Sequence, residues 1–306
     1  MFRSLLVPLD GSPFGAHALP AAVAIARRSG AALHLVRVHL PMGYVPFHAA
    51  DVPELTSWNQ QVRAEECAYL ESIAERIRQE LDISTSYAVV EQPVADAIRR
   101  HAEEVSADLI VMTTHGRTGL SRAWLGSVAD ALIRHATTPA LLVRPGKQPP
   151  DIHRERVFNH LLIALDGSGF AQQVLRPAAA LAKVEGARCT LLHVVVPSMK
   201  PVPPYPQAPR ATAVDQEAVD AHVAQAERSL AELAESLRHD GIDVEVEARV
   251  HERPARAILN RARSDEIDCI AMAVHGRGPS RLLLGSVADK VLRGSALPML
   301  LTRPGE

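Results

Sequence analysis

Leu5-Leu6-Val7-Pro8-Leu9-Asp10-Gly11-Ser12 returns later in the same chain as Leu161-Leu162-Ile163-Ala164-Leu165-Asp166-Gly167-Ser168. Each copy is an apolar run that ends at Asp-Gly-Ser, as a buried strand does when it enters a turn. The echo continues in order. Leu35-Val36-Arg37-Val38 matches Leu191-Leu192-His193-Val194, and Ala107-Asp108-Leu109-Ile110-Val111-Met112 matches Ile267-Asp268-Cys269-Ile270-Ala271-Met272. His115-Gly116-Arg117 then matches His275-Gly276-Arg277, and Leu125-Gly126-Ser127-Val128-Ala129-Asp130 matches Leu284-Gly285-Ser286-Val287-Ala288-Asp289. Arg144-Pro145-Gly146 and Arg303-Pro304-Gly305 close the two copies. Self-similarity on this scale marks a duplicated domain. It places one domain at 1–146, a polar linker with Pro149-Pro150 at 147–156, and a second domain at 157–306.

Within the first copy, strand patterns near 4–9, 32–39, 84–90, 108–113 and 139–144 alternate with helical patterns at 13–29, 58–81, 94–105 and 122–136. The strands are continuous apolar runs rather than alternating ones, so both of their faces are buried, as in a parallel sheet covered by helices. The expected fold is α/β: two tandem doubly wound, Rossmann-like domains, each with a five-stranded parallel sheet. The segments 39–56 and 197–209, at equivalent places after the second strand, read as loops.

Composition narrows the partners. A formal net charge of −2 over 306 residues gives no electrostatic reason to expect nucleic acid or an anionic membrane. Cys67, Cys189 and Cys269 are far apart and form no CxxC pair, which suits a reducing cytoplasm better than a disulfide framework or a thiolate zinc site. No stretch approaches the ~18 uninterrupted apolar residues of a membrane span, and the 14 histidines show no HExxH spacing.

In open parallel sheets ligands bind outside the carboxyl ends of the strands, which directs attention to two clusters. The first is Pro8 to Pro13. Ser12 suits a helix cap and Pro13 a first turn. Asp10 and its counterpart Asp166 admit two readings: a turn aspartate, or an acceptor for a ribose hydroxyl or an adenine amino group. The second cluster is Thr113-Thr114-His115-Gly116, nine further residues, and Gly126-Ser127 opening a helix. Glycines let the backbone approach phosphates, and a helix N-terminus supplies N–H donors and a positive dipole end. It is not a Walker loop: no lysine precedes Ser127 and the glycine spacing is nine rather than four. An ordinary loop and helix cap is the alternative. Asp130 with Arg134 and Asp289 with Arg293, four apart, read as surface ion pairs.

These residues resemble the universal stress protein family, whose ATP-binding members carry Gly, two residues, Gly, nine residues, Gly, then Ser or Thr. The likeness covers nearly the whole chain twice. It departs at Thr113, which stands at the first glycine, and in the second copy, where Ala273 stands there and only eight residues separate Gly276 from Gly285. The resemblance implies adenine and ribose around Pro8, Asp10 and Val38, with phosphates near Thr113, Gly116, Gly126, Ser127 and Val128. The second-copy counterparts are Ala164, Asp166, Val194, Gly276, Gly285, Ser286 and Val287. His115 and His275 sit beside the loops as ligand contacts without a catalytic role. The family also implies ATP with magnesium as counter-ion, an unidentified protein partner, and dimers joined through the last strand. The two copies are then expected to pack as an intrachain pseudo-dimer through 141–143 and 299–301, with a further homodimer possible.

Three functions follow from this reading. One is an ATP-binding stress-response regulator, with nucleotide in the first domain and at most slow hydrolysis. Another is a member that acts through protein contacts alone. The third, an ATP-hydrolysing or transferring enzyme, needs a positioned base or carboxylate pair near Ser127 that the sequence does not display.

Overall fold

Apolar runs become strands where both faces meet helices, and the repeat makes this happen twice. A computed structural model describes residues 1–41, 53–91, 93–114, 125–201, 212–264, 266–274 and 284–303. Contacts divide the chain into two compact units, Met1–Val157 with Leu300–Gly305, and Phe158–Met299.

The first unit contains β1 (Ser4–Pro8), a 3₁₀ turn (Gly15–Ala18), α1 (Leu19–Ser29), β2 (Ala32–His39), α2 (Pro53–Leu81) and β3 (Thr85–Glu91). It continues with α3 (Val94–Glu104), β4 (Leu109–Thr113), α4 (Ser127–His135) and β5 (Ala140–Val143). The second contains β6 (His160–Leu165), α5 (Gly169–Gln172), α6 (Leu175–Glu185), β7 (Arg188–Val195), β8 (Met199–Pro201) and β9 (Thr212–Val214). There follow α7 (Gln216–His239), β10 (Val244–Val250), α8 (Pro254–Ala262), β11 (Cys269–Ala273) and α9 (Ser286–Gly294), and the chain then enters β12 (Met299–Thr302), of which Met299 falls in the second unit and Leu300–Thr302 in the first.

Three elements depart from the sequence pattern for identifiable reasons. The helix expected over 13–29 is a 3₁₀ turn followed by α1, because Pro20 lacks the N–H that an α-ladder through it would need. Of the helix expected over 122–136, residues 122–124 lie outside the described residues, and the described helix is Ser127–His135, preceded by an extended Gly126 at φ −61°, ψ 146°. Within the segment 197–209 read as a loop lies β8, which pairs antiparallel with β9 just beyond that segment, a two-stranded pair in which Pro201 is tolerated.

In the first unit the strand order is β3-β2-β1-β4-β5, all parallel; in the second, β10-β7-β6-β11 repeats it and Ile270 N donates to Pro298 O, just before β12. The central strands β4, β6 and β11 are buried throughout. One carboxylate sets the register at the base of each centre. Asp108 Oδ2 accepts from Arg3 N at 2.7 Å and Ser4 N at 3.1 Å, and Asp268 accepts from Asn159 N at 2.7 Å and His160 N at 3.1 Å. Cys189 and Cys269 are buried, Cys67 partly so, and none forms a disulfide. Burial pushes the Cys189 thiol up to about 12, so it stays protonated and inert at neutral pH. Among the described residues no helix is long and apolar enough to cross a membrane.

Ser4 and His160 occupy the same place in the repeat, and the difference carries a pH signature. His160 is 1% exposed; its Nε2 meets Thr190 Oγ1 at 2.7 Å and its Nδ1 has no partner. Burial holds its pKa below the ordinary 6.5, aided by Arg188 and Arg261. The unfolded chain therefore takes up the proton first, so stability present above pH 6.5 is lost as pH falls towards the lowered folded value. Calorimetric unfolding from pH 7.5 to 5 should show the second unit's midpoint falling with acid. His160→Ser should flatten that slope, leaving the part due to His193, whose pKa burial also lowers; an unchanged slope refutes the assignment.

Candidate functional site

Strand order reverses between β1 and β4, and between β6 and β11, so the helices that follow these strands diverge and leave a crevice at the strands' carboxyl ends. In the first unit that crevice is a cleft of about 470 Å³. Seven residues named from sequence line it together: Pro8, Asp10, Val38, Thr113, Gly126, Ser127 and Val128. His115 and Gly116 lie outside the described residues, as do His275 and Gly276.

Asp10 closes a side-chain turn. Its Oδ1 accepts from Ser12 N at 2.9 Å and Ser12 Oγ at 2.6 Å, while Ser12 Oγ accepts from Gly15 N at 3.0 Å. The turn reading of Asp10 is thus realised, and the same side chain also lines the cleft. Asp166 repeats the arrangement with Ser168 N at 2.9 Å, Ser168 Oγ at 2.5 Å, and Ala171 N donating to Ser168 Oγ at 3.1 Å. Gly11 is required by its φ of +79°, and a Cβ there would also displace the far end of the Arg37 side chain.

At the opposite end the backbone supplies donors. Gly126 N donates to Thr114 O at 2.8 Å, which pins the extended Gly126 beside β4. The first α-helical bond is Asp130 N to Gly126 O at 2.9 Å, so the N–H groups of Ser127, Val128 and Ala129 have no intrahelical acceptor. No side chain caps this end, and Ser127 is exposed. A helix end so arranged suits a phosphate. Behind it, Arg134 clasps Asp130 through two bonds of 2.8 and 2.9 Å, and Arg293 meets Asp289 at 2.9 Å, so both act as intrahelical pairs.

Sequence reading missed the third wall. Arg37 Nε donates to Glu66 Oε1 at 3.0 Å and His39 Nδ1 meets Glu66 Oε2 at 2.8 Å. The Arg37 guanidinium lies 5.6 Å from the Tyr69 ring centre, and burial raises the Tyr69 pKa. Trp58 and Val62 continue this wall along α2, and Val94 and Ile98 of α3 close the floor. The residues of α2 recur every four positions, a helical face visible in sequence once strand β2 is known to lie opposite.

The second cleft, about 610 Å³, gathers Ala164, Asp166, Val194, Ala273, Gly285, Ser286 and Val287. His193 stands where Arg37 stands in the first unit, with its Cε1 3.1 Å from the position a Gly167 Cβ would take. Burial lowers the His193 pKa and the Asp166 carboxylate opposes that shift.

The sequence model described as the Universal stress protein family matches residues 1–144 and 158–303. A universal stress protein of Methanocaldococcus jannaschii is 31% identical over 150 residues, covering 48% of this chain and 85% of its own length. A universal stress protein of Thermus aquaticus is 33% identical over 148 residues, 48% of this chain and 100% of its own. The crystal structure of a universal stress protein from Archaeoglobus fulgidus shares the fold, with a TM-score of 0.68 at 20% identity, over 99% of this chain and 98% of that one.

Gly11→Ala should destabilise β1 by about 1–3 kcal/mol through its left-handed φ alone, and by more because Arg37 must also move. Gly167→Ala meets the same φ penalty but faces only the edge of His193. Hydrogen exchange of β1 and β6 peptides reads the two separately, and equal losses would show that Arg37 yields freely.

Proposed function

This chain belongs to the universal stress protein family in both of its halves, and we propose that it is a stress-response regulator that binds ATP, with magnesium as counter-ion, in the cleft of the first unit. The observation that carries this reading is the convergence of Asp10, Val38, Thr113 and the Gly126-Ser127-Val128 helix end on one cavity. A carboxylate at one end offers an acceptor to sugar or base. The open helix N-terminus at the other offers backbone N–H donors and a positive dipole to phosphate. Bound nucleotide then orders the surface around the cleft, which a partner protein reads. Cytoplasmic action suits three thiols that form no disulfide.

A second reading applies to the second unit. Ala273 replaces Thr113 and the loop to Gly285 is one residue shorter, while Gly285 and Ser286 still open α9. We assign this unit a role in protein contacts without ATP.

Denaturing the purified protein and weighing what it releases tests whether nucleotide is carried. Calorimetric titration with magnesium-ATP should give a stoichiometry of about one, abolished by Gly126→Trp and retained in Gly285→Trp. Absence of carried nucleotide together with no heat at millimolar ATP would remove ATP from the proposal and leave protein contacts as the function of both units.

A further inference from the structure

Helix α2 turns Trp58, Val62 and Glu66 towards the first cleft, one per turn. Glu66 is 7% exposed and holds Arg37 and His39 of β2 at 3.0 and 2.8 Å, so a buried charged cluster ties the helix to the strand. Removing one member of such a cluster leaves an uncompensated charge, which makes the tie stiff. Two turns nearer the start of the helix, Trp58 stays 41% exposed at the cleft, beside Leu40 at 62%. A large aromatic ring held half in water by a rigid anchor is a surface waiting to be covered.

The second unit lacks every part of this device. Buried Leu230, Ala234 and Leu237 of α7 match Leu70, Ala74 and Ile77 of α2. That alignment sets Ala226 at the place of Glu66 and Ala218 at that of Trp58, while Val195 and His193 replace His39 and Arg37. Among the described residues, none from α7 lines the second cleft.

We propose that Trp58 stacks on the base of the nucleotide in the first cleft, and that Glu66, through Arg37 and His39, is the positioning residue that holds the ring over it. The inference rests on the first cleft being the nucleotide site. Every base presents a π-face, so this wall selects base-bearing ligands without choosing strongly among bases. The second cleft, without it, has no such selection.

The test uses the full chain, magnesium-ATP, calorimetry and tryptophan fluorescence. Stacking lost with Trp58→Ala or Trp58→Leu should weaken ATP by about 5- to 150-fold. Trp58→Phe should stay within about threefold of wild type, and in Trp124→Phe, which leaves Trp58 as the one tryptophan of the chain, ATP should still change the emission. Glu66→Ala should weaken ATP and shift the emission of the unliganded protein, and Glu66→Gln should recover part of both. If Trp58→Leu binds ATP as tightly as Trp58→Phe, or Trp58→Ala matches wild type, stacking is overturned while the nucleotide reading stands. If the wild-type chain takes no ATP, both fall together.

Discussion

The reversal of strand order beside β1 governs this molecule. Parallel strands need right-handed crossovers, so strands added to one side of β1 carry their helices on one face and strands added to the other side carry theirs on the opposite face. No helix spans the point where the direction changes, between β1 and β4. The carboxyl ends of these two strands open onto that gap, with Leu9 to Ser12 after β1, and Thr114 after β4 bonded to Gly126, at its rim. The centre of the sheet therefore supplies both the most buried backbone and the principal cleft, and the Asp108 carboxylate that aligns β1 with β4 at the far end also aligns the two rims.

At the rim of β1 one aspartate serves turn and cleft together. Asp10 Oδ1 organises Ser12, Ser12 organises Gly15, and Gly15 carries no Cβ because one would strike that same oxygen. The conformation is over-determined locally, which keeps a cleft-lining carboxylate in place without drawing on the ligand. Asp166, Ser168 and Ala171 reproduce these bonds in the second unit. The turn is thus an inheritance of the repeat, whereas the two rims differ in what lies above them: a guanidinium over Gly11 and an imidazole over Gly167.

Much of this was legible in the residues. Strands buried on both faces announce themselves as unbroken apolar runs, and β1, β2 and β4 fall within a residue or so of their expected spans. Asp10, Thr113 and Gly126 were legible as neighbours because each lies close to a strand's carboxyl end or a helix start, while Val38 was named through the family resemblance; all four line one cleft. The α2 wall was not. Glu66 lies 29 residues from Arg37 and 27 from His39, and their meeting depends on a strand period of two facing a helix period near four. Read alone, Glu66 is one more charge on an amphipathic helix, and Trp58 the first residue of the helix expected over 58–81. The β8–β9 pair was hidden for a related reason: three-residue strands carry no periodicity, and the prolines around them signal loop.

The differences between the units also constrain how the repeat diverged. Arg37, Glu66 and His39 share two buried contacts, and an alanine at Glu66 alone would strand a guanidinium that is mostly out of water. Breaking a buried pair from one side costs about 3–5 kcal/mol, whereas replacing all its members by apolar groups of suitable size is close to neutral. The second unit has the complete replacement, with Ala226 and Val195 buried at 5% each and a histidine held neutral by burial where the arginine stood. A change at Glu66 alone carries that cost, because it leaves the Arg37 guanidinium without its carboxylate. In the first unit the cluster joins β2 to α2, so the carboxylate that satisfies Arg37 and His39 also fixes the face of α2 that lines the cleft.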